Sequence, residues 1–309
     1  MIQSSIEARQ SAQTRERFHL SGYLLVAGAA VCWAFGASLA KLLFARDVDP
    51  LTLAQVRAAF SFLALLLAAV AWRPAMLRVP WRLAGELAVL GIAGIAASNY
   101  TYLVAIQRSN VTTAVLIQYT APVWVTLYAV LSGSEARSAR KALAAGLSFA
   151  GCALAAGAYR PANLALNYPG VAYALAAALA FSFFNIWGKR MARKVEVWTG
   201  LLHALGAATL FWFLVRSPLR LLEAGYSGRH WALLVGYAMV SVLLPFTLFY
   251  SGLRRLPATH ATVTSTLEPV LAALFAFLIV GERLAAPQVA GMAAVIAAIV
   301  LLSHEQATD

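Results

Sequence analysis

Long apolar stretches separated by short polar ones make up the chain, and most of the apolar stretches match the length of a membrane-crossing helix. Ten stand out, at about 20–44, 51–71, 83–107, 111–131, 139–158, 167–188, 197–215, 230–252, 258–280 and 286–303. At a rise of about 1.5 Å per residue, roughly 20 apolar residues cross the ~30 Å hydrocarbon layer. Pro50, Pro80, Pro161, Pro218 and Pro257, with nearby Gly, Asp, Asn or Ser, punctuate the gaps. The longest gap, 216–229, is too short to fold as a soluble domain. Function therefore belongs in or between the helices.

Composition supports this reading. Of 309 residues 61% are hydrophobic and only 12% are charged, where a soluble domain carries about a quarter charged residues. A net charge of +12 would point to nucleic acid in a soluble protein, but here the bases are scattered through short loops. With the N-terminus inside, cytoplasmic segments carry fifteen Lys and Arg and the opposite side seven, while Lys41 and Arg57 fall within spans to complete the 24. That bias predicts both termini in the cytoplasm, an even number of spans and no nucleic-acid partner. The polar stretch 1–19 lacks a secretory signal, so the first span is expected to stay. Cys32 and Cys152 lie in separate apolar runs and are expected to be small core residues. No Cys/His cluster has metal spacing, and neither a metal nor a cofactor is expected.

The sequence repeats itself. Sliding 105–135 by 147 onto 252–282 needs no gap and gives nine identities in 31 positions, among them Arg108/Arg255, Pro122/Pro269 and Glu135/Glu282. A shift of 148 places Gly22 and Lys41 on Gly170 and Lys189. Five spans per copy is odd, so the second copy must enter the membrane from the other side. The expected fold is an all-α membrane protein: ten transmembrane helices as two inverted five-helix repeats, 20–158 and 165–303, between tails 1–19 and 304–309. Many secondary transporters have this architecture, with the site where the repeats meet.

The segment Thr266-Leu-Glu-Pro-Val270, then an alanine-rich run and Gly281-Glu-Arg283 before one last helix, resembles the drug/metabolite transporter superfamily, specifically its ten-helix EamA-type permeases. The first copy departs from the pattern: Tyr119-Thr-Ala-Pro-Val123 has Ala121 where the second has Glu268, and Ser134-Glu135 replaces Gly281-Glu282. The resemblance implies a bacterial inner-membrane permease working by alternating access. The tryptophan content of the spans is similar to that of aromatic amino-acid exporters, so export of small amino acids, aromatic ones first, is the implied function. A sugar-phosphate or nucleotide-sugar exchanger is the alternative within the superfamily. An intramembrane enzyme is the alternative of another class, and it would need a clustered acid and base where Glu268 stands alone.

Glu268 is the leading candidate for substrate binding or proton coupling. Near the bilayer middle a carboxylate is expensive unless paired, hydrated or protonated, and Pro269 frees a carbonyl as in a broken helix lining a cavity. The rival reading is a protonated acid that only packs. Ser265 lies on this half-helix, beside the stripe His260, Thr264 and Glu268, and Gln118 corresponds to it in the fourth span. Polarity on two faces places the half-helix centrally in the bundle. Asn99, Tyr100 and Asn185 are further intramembrane polar groups that must face protein, water or ligand. Trp33 and Trp124 lie well inside their spans, where indoles either stack on a solute or fill core, and Trp187 lies close to Asn185. His260 reads as an interfacial histidine rather than a proton relay. Lys41 and Arg57 lie near span ends and read as snorkelling side chains; pointing inward, they would suit a phosphate or carboxylate.

Overall fold

The computed structural model describes residues 2–44, 48–275, 277–278 and 283–306, with side chains from Phe18 onward except at 38, 41, 42, 222, 305 and 306. The Lys41 side chain, the Gly281-Glu282 pair and residues 307–309 of the tail lie outside it.

The first half contains α1 (Ile2–Phe44), α2 (Pro50–Trp72), α3 (Trp81–Val89), α4 (Ala97–Arg108), α5 (Val111–Gln118), α6 (Ala121–Leu131) and α7 (Ala139–Ala155). The second contains α8 (Tyr168–Ala192), α9 (Val197–Val215), the short α10 (Leu219–Glu223), α11 (Gly228–Ala238), α12 (Leu244–Arg255), α13 (Ala258–Ser265), α14 (Leu267–Phe275) and α15 (Ala286–Gln306). Among the described residues eight stretches are long and apolar enough to cross a membrane. The 17-residue α7 and the broken pair α13–α14 make up the ten. The polar stretch ahead of the first span is helical as well, since α1 begins at Ile2.

Helix starts follow local chemistry. Asp49 caps α2 by accepting from the Leu51 and Thr52 amides at 2.9 and 3.0 Å, with Pro50 in the first turn. Asn110 and Asn167 cap α5 and α8 in the same way. Glu135 reaches across the molecule, accepting from the Thr259 amide at 3.2 Å at the start of α13 while paired with Lys141 at 3.2 Å.

The halves share irregularities as well as residues. α3 and α4 join through a π-helical segment, Leu90–Ala96, and α11 and α12 through another, Met239–Leu243. The shift of 147 carries 92–96 onto 239–243. It also carries Tyr119, where α5 breaks from α6, onto Thr266, where α13 breaks from α14. Packing obeys the same exchange. α1 packs on α12 and on α13–α14, and α8 correspondingly packs on α4 and on α5–α6. α2 meets its counterpart α9, and α7 meets α15. The α7–α15 contact is a glycine crossing, where a Cβ on Gly151 would stand 2.8 Å from the Gly291 carbonyl oxygen. Ion pairs close both ends of the α2–α9 contact, Asp49–Arg216 at 3.3 Å and Arg73–Glu196 at 2.8 Å. Asp49 and Glu196 are themselves related by 147.

Candidate functional site

The two helix breaks face each other at the centre. α5 ends at Gln118, and the chain turns through Tyr119 and Thr120 before α6 starts with Pro122 in its first turn. α13 ends at Ser265, turns at Thr266 and restarts as α14, with Pro269 in that first turn. A proline lacks the amide that would continue the ladder, so both spans stop where polar groups gather. There the buried Tyr119 hydroxyl donates to Glu268 Oε2 at 2.6 Å, and the Ser265 carbonyl lies 3.2 Å from the same hydroxyl.

Beside this bond a cavity encloses about 550 Å³ of empty space, including the part that opens outward. Trp33, Arg57, Asn99, Tyr102, Gln118 and Glu268 line it. It occupies the half of the bundle reached by the C-terminal part of α1 and the N-terminal part of α2. The two halves contribute unlike polar groups, with Glu268, Ser241 and Tyr237 coming from the second. Arg57, Ser98, Asn99 and Tyr102 come from the first half, and a shift of 147 places Ala204, Pro245, Phe246 and Phe249 at the corresponding positions. A second asymmetry sets the shape. Gly36, which lines the cavity, corresponds by 148 to Phe184, a fully buried ring packed on Gly94. One half-membrane is thus filled by a phenyl group where the other has a glycine.

The aromatic end of the cavity is built on the pseudo-axis. Trp33 and Phe181 correspond by 148 and touch edge to face with centroids 5.9 Å apart, and Phe246 and Phe249 meet the same indole at 5.7 and 5.3 Å.

Four of the nine residues proposed from the sequence meet here: Trp33, Asn99, Gln118 and Glu268. The Gln118 Oε1 atom is buried with no described donor, whereas Asn99 Nδ2 donates to the Ile95 carbonyl at 2.8 Å. The side chains of the other five lie elsewhere, although the Ser265 carbonyl meets the Tyr119 hydroxyl. Tyr100 packs on Trp212, centroids 5.1 Å apart, because it is one residue round the helix from Asn99. Trp124 is 40% exposed and donates only to Thr120 Oγ1, a placement on the outside of the bundle. Asn185 is buried as a helix connector, donating to the Phe181 carbonyl and accepting from Thr262 Oγ1, both at 2.7 Å. Trp187 donates to the Glu86 carbonyl at 3.2 Å and carries Arg190 over its face. Ser265 donates to the Thr262 carbonyl at 2.7 Å.

Two titratable side chains depart from their expected places. Arg57 does not snorkel: it is 6% exposed, lines the cavity, donates from Nη2 to the Ser241 carbonyl at 3.1 Å and lies over the Tyr237 ring. His260 is buried rather than interfacial, with Nδ1 2.6 Å from the Tyr23 hydroxyl. Sequence reasoning also missed Tyr102 and Tyr119 as site residues. Tyr102 follows Asn99 by three and so shares its face, a usable signal. Tyr119 stood in the quoted motif, but its partner is 149 residues away.

The family model for the EamA-like transporter family matches residues 20–157 and 168–304. A curated protein of Archaeoglobus fulgidus, named only as an uncharacterized transporter, is 29% identical over 270 residues, covering 85% of this chain and 90% of its own. The threonine/homoserine exporter RhtA of Escherichia coli is 29% identical over 284 residues, 89% of this chain and 88% of that protein. A solved crystal structure matches with a TM-score of 0.69 over 91% of this chain and 96% of its own, at 23% identity, which is a likeness of fold alone.

Proposed function

Because this chain belongs to the EamA-like transporter family, and is a membrane-embedded transporter rather than an enzyme, we propose that it exports small neutral amino acids by alternating access. The observation that carries this reading is the pair of helix breaks meeting at Tyr119–Glu268 beside the cavity. Broken helices offer unpaired backbone groups to a solute at mid-membrane, and the half-and-half construction supplies two sides to rock against each other. Glu268 is the group that takes a substrate ammonium or a coupling proton, and Trp33 the apolar wall for the side chain. Both termini lie in the cytoplasm on this reading, and the membrane is a bacterial inner membrane.

Two substrate choices follow from different observations. The name of the E. coli relative favours threonine-like hydroxy amino acids, while the Trp33–Phe181–Phe246 wall favours an aromatic side chain. The alternative function, exchange of a phosphate-bearing solute, has Arg57 as its one support. Glu268 in the same cavity opposes a dianion.

The test is counterflow in proteoliposomes. Labelled threonine, homoserine, phenylalanine and tryptophan would be compared with sugar phosphates at equal reconstituted protein. Accumulation of at least one amino acid, and its loss in Glu268→Gln, is the expected result. Accumulation of sugar phosphates alone would overturn it.

A further inference from the structure

Arg57 is a buried charge with little direct compensation among the described residues. A guanidinium carries five N–H donors and stays protonated in proteins. Here the described acceptor is one, the Ser241 carbonyl at 3.1 Å, and Nε is buried without a partner. Among the described residues no carboxylate lies within 4.0 Å of it; Glu268, on the same cavity, is hydrogen-bonded to Tyr119 and meets the Arg57 charge only through space. Burying a charge in this way is expensive unless something in the cavity answers it. The Tyr237 face, 5.3 Å from Cζ, supports the guanidinium from one side without neutralising it. Two further buried polar atoms of cavity-lining residues also lack partners, the Tyr102 hydroxyl and Gln118 Oε1. A donor-rich cation, a hydroxyl and an amide oxygen thus stand in one small volume, with an acid across from them.

We propose that Arg57 is the carboxylate-recognising residue of this cavity and that the bound solute is a zwitterion, its carboxylate on Arg57 and its ammonium toward Gln118 Oε1 and the Tyr119–Glu268 pair. The inference rests on the amino-acid reading above and adds the polarity of binding. It also accounts for the unlike contributions of the two halves to the cavity. The second half has Ala204 at the position of Arg57 and phenylalanines at those of Asn99 and Tyr102, so one carboxylate site exists rather than two. An arginine suits this role better than lysine because its planar fork matches a carboxylate.

The experiment compares each acid with its carboxamide, which keeps the ammonium and side chain and removes the anion. Full-length protein in proteoliposomes is assayed by counterflow of labelled L-threonine and L-phenylalanine. Unlabelled acid, or threoninamide and phenylalaninamide, is the competitor. In the wild type the acid should compete about tenfold to a hundredfold better than its amide. Arg57→Gln should bring the two competitors within about twofold of each other, and Arg57→Lys should keep part of the preference. Equal competition by acid and amide in the wild type would overturn the proposal without any variant, so misfolding of Arg57→Gln cannot shelter it. A wild-type preference that survives unchanged in Arg57→Gln would overturn it as well. Failure of both labelled acids to exchange in the wild type would instead sink the amino-acid reading itself.

Discussion

Tyr119 and Glu268 come from opposite halves of the chain, 149 residues apart, and meet in a 2.6 Å hydrogen bond at the point where both central helices are broken. The two breaks correspond by the internal repeat, but the bonded residues do not. Tyr119 corresponds to Thr266, and Glu268 to Ala121. The site is therefore single and asymmetric although the scaffold around it is duplicated. Tyr119→Phe removes the donor while keeping the ring, so the protein should fold and lose transport by about tenfold, the effect of one charge-assisted hydrogen bond. Counterflow at matched protein checks this; an unchanged rate would make the bond structural.

The indoles of Trp33 and Trp124 should separate cleanly. Trp33 forms the aromatic end of the cavity, whereas Trp124 is 40% exposed on the outside. Trp33→Leu is expected to change the ratio of phenylalanine to threonine transport, and Trp124→Leu to leave that ratio as it is. A shifted ratio in Trp124→Leu would contradict this assignment.

The glycine crossing of α7 and α15 should tolerate no larger side chain. A Cβ on Gly291 would come within 2.6 Å of the Gly151 carbonyl oxygen, while a Cβ on Gly146 meets nothing within 4 Å. Gly291→Val should cost about 1–3 kcal/mol or separate the helices, seen as a lower unfolding temperature in detergent. Gly146→Ala is the neutral control.

The clamp at the start of α2 gives a pH prediction. Asp49 lies just outside the span. Burial alone would raise its carboxyl, but hydrogen bonds from Thr52 and the Arg216 charge outweigh that and hold it below its ordinary 3.8. A depressed folded-state value contributes stability that is present above the ordinary value and is lost as pH falls through the folded one. Wild type should therefore lose more thermal stability than Asp49→Asn on going from about pH 6 to about pH 3. Parallel curves would show that the clamp contributes nothing measurable.

Topology can be read with tags. Accessible tags at 1–10, 75–80, 134–138 and 305–309 should all report the cytoplasm, and tags at 161–165 and 218–226 the opposite side. A split among the first four would break the inverted-repeat arrangement.

Apolar run lengths and the prolines between them were enough to read the ten spans, because hydrocarbon thickness dictates how many residues cross. The repeat exposed the duplicated design, and Glu268 beside Pro269 marked the ninth span as broken. The Lys and Arg bias bears on which way the spans run. Those features are local or periodic, so one sequence displays them. The tertiary structure decided which polar residues share a space. Trp124, Asn185, Trp187 and Ser265 satisfy the same rules of intramembrane polarity as Gln118 and Asn99, yet their side chains bond within their own helix or to a neighbouring one, or face outward. Position near a span end made Arg57 read as a snorkelling cation. Its actual direction depends on the Ser241 carbonyl and the Tyr237 ring, 184 and 180 residues further on, which only folding brings beside it.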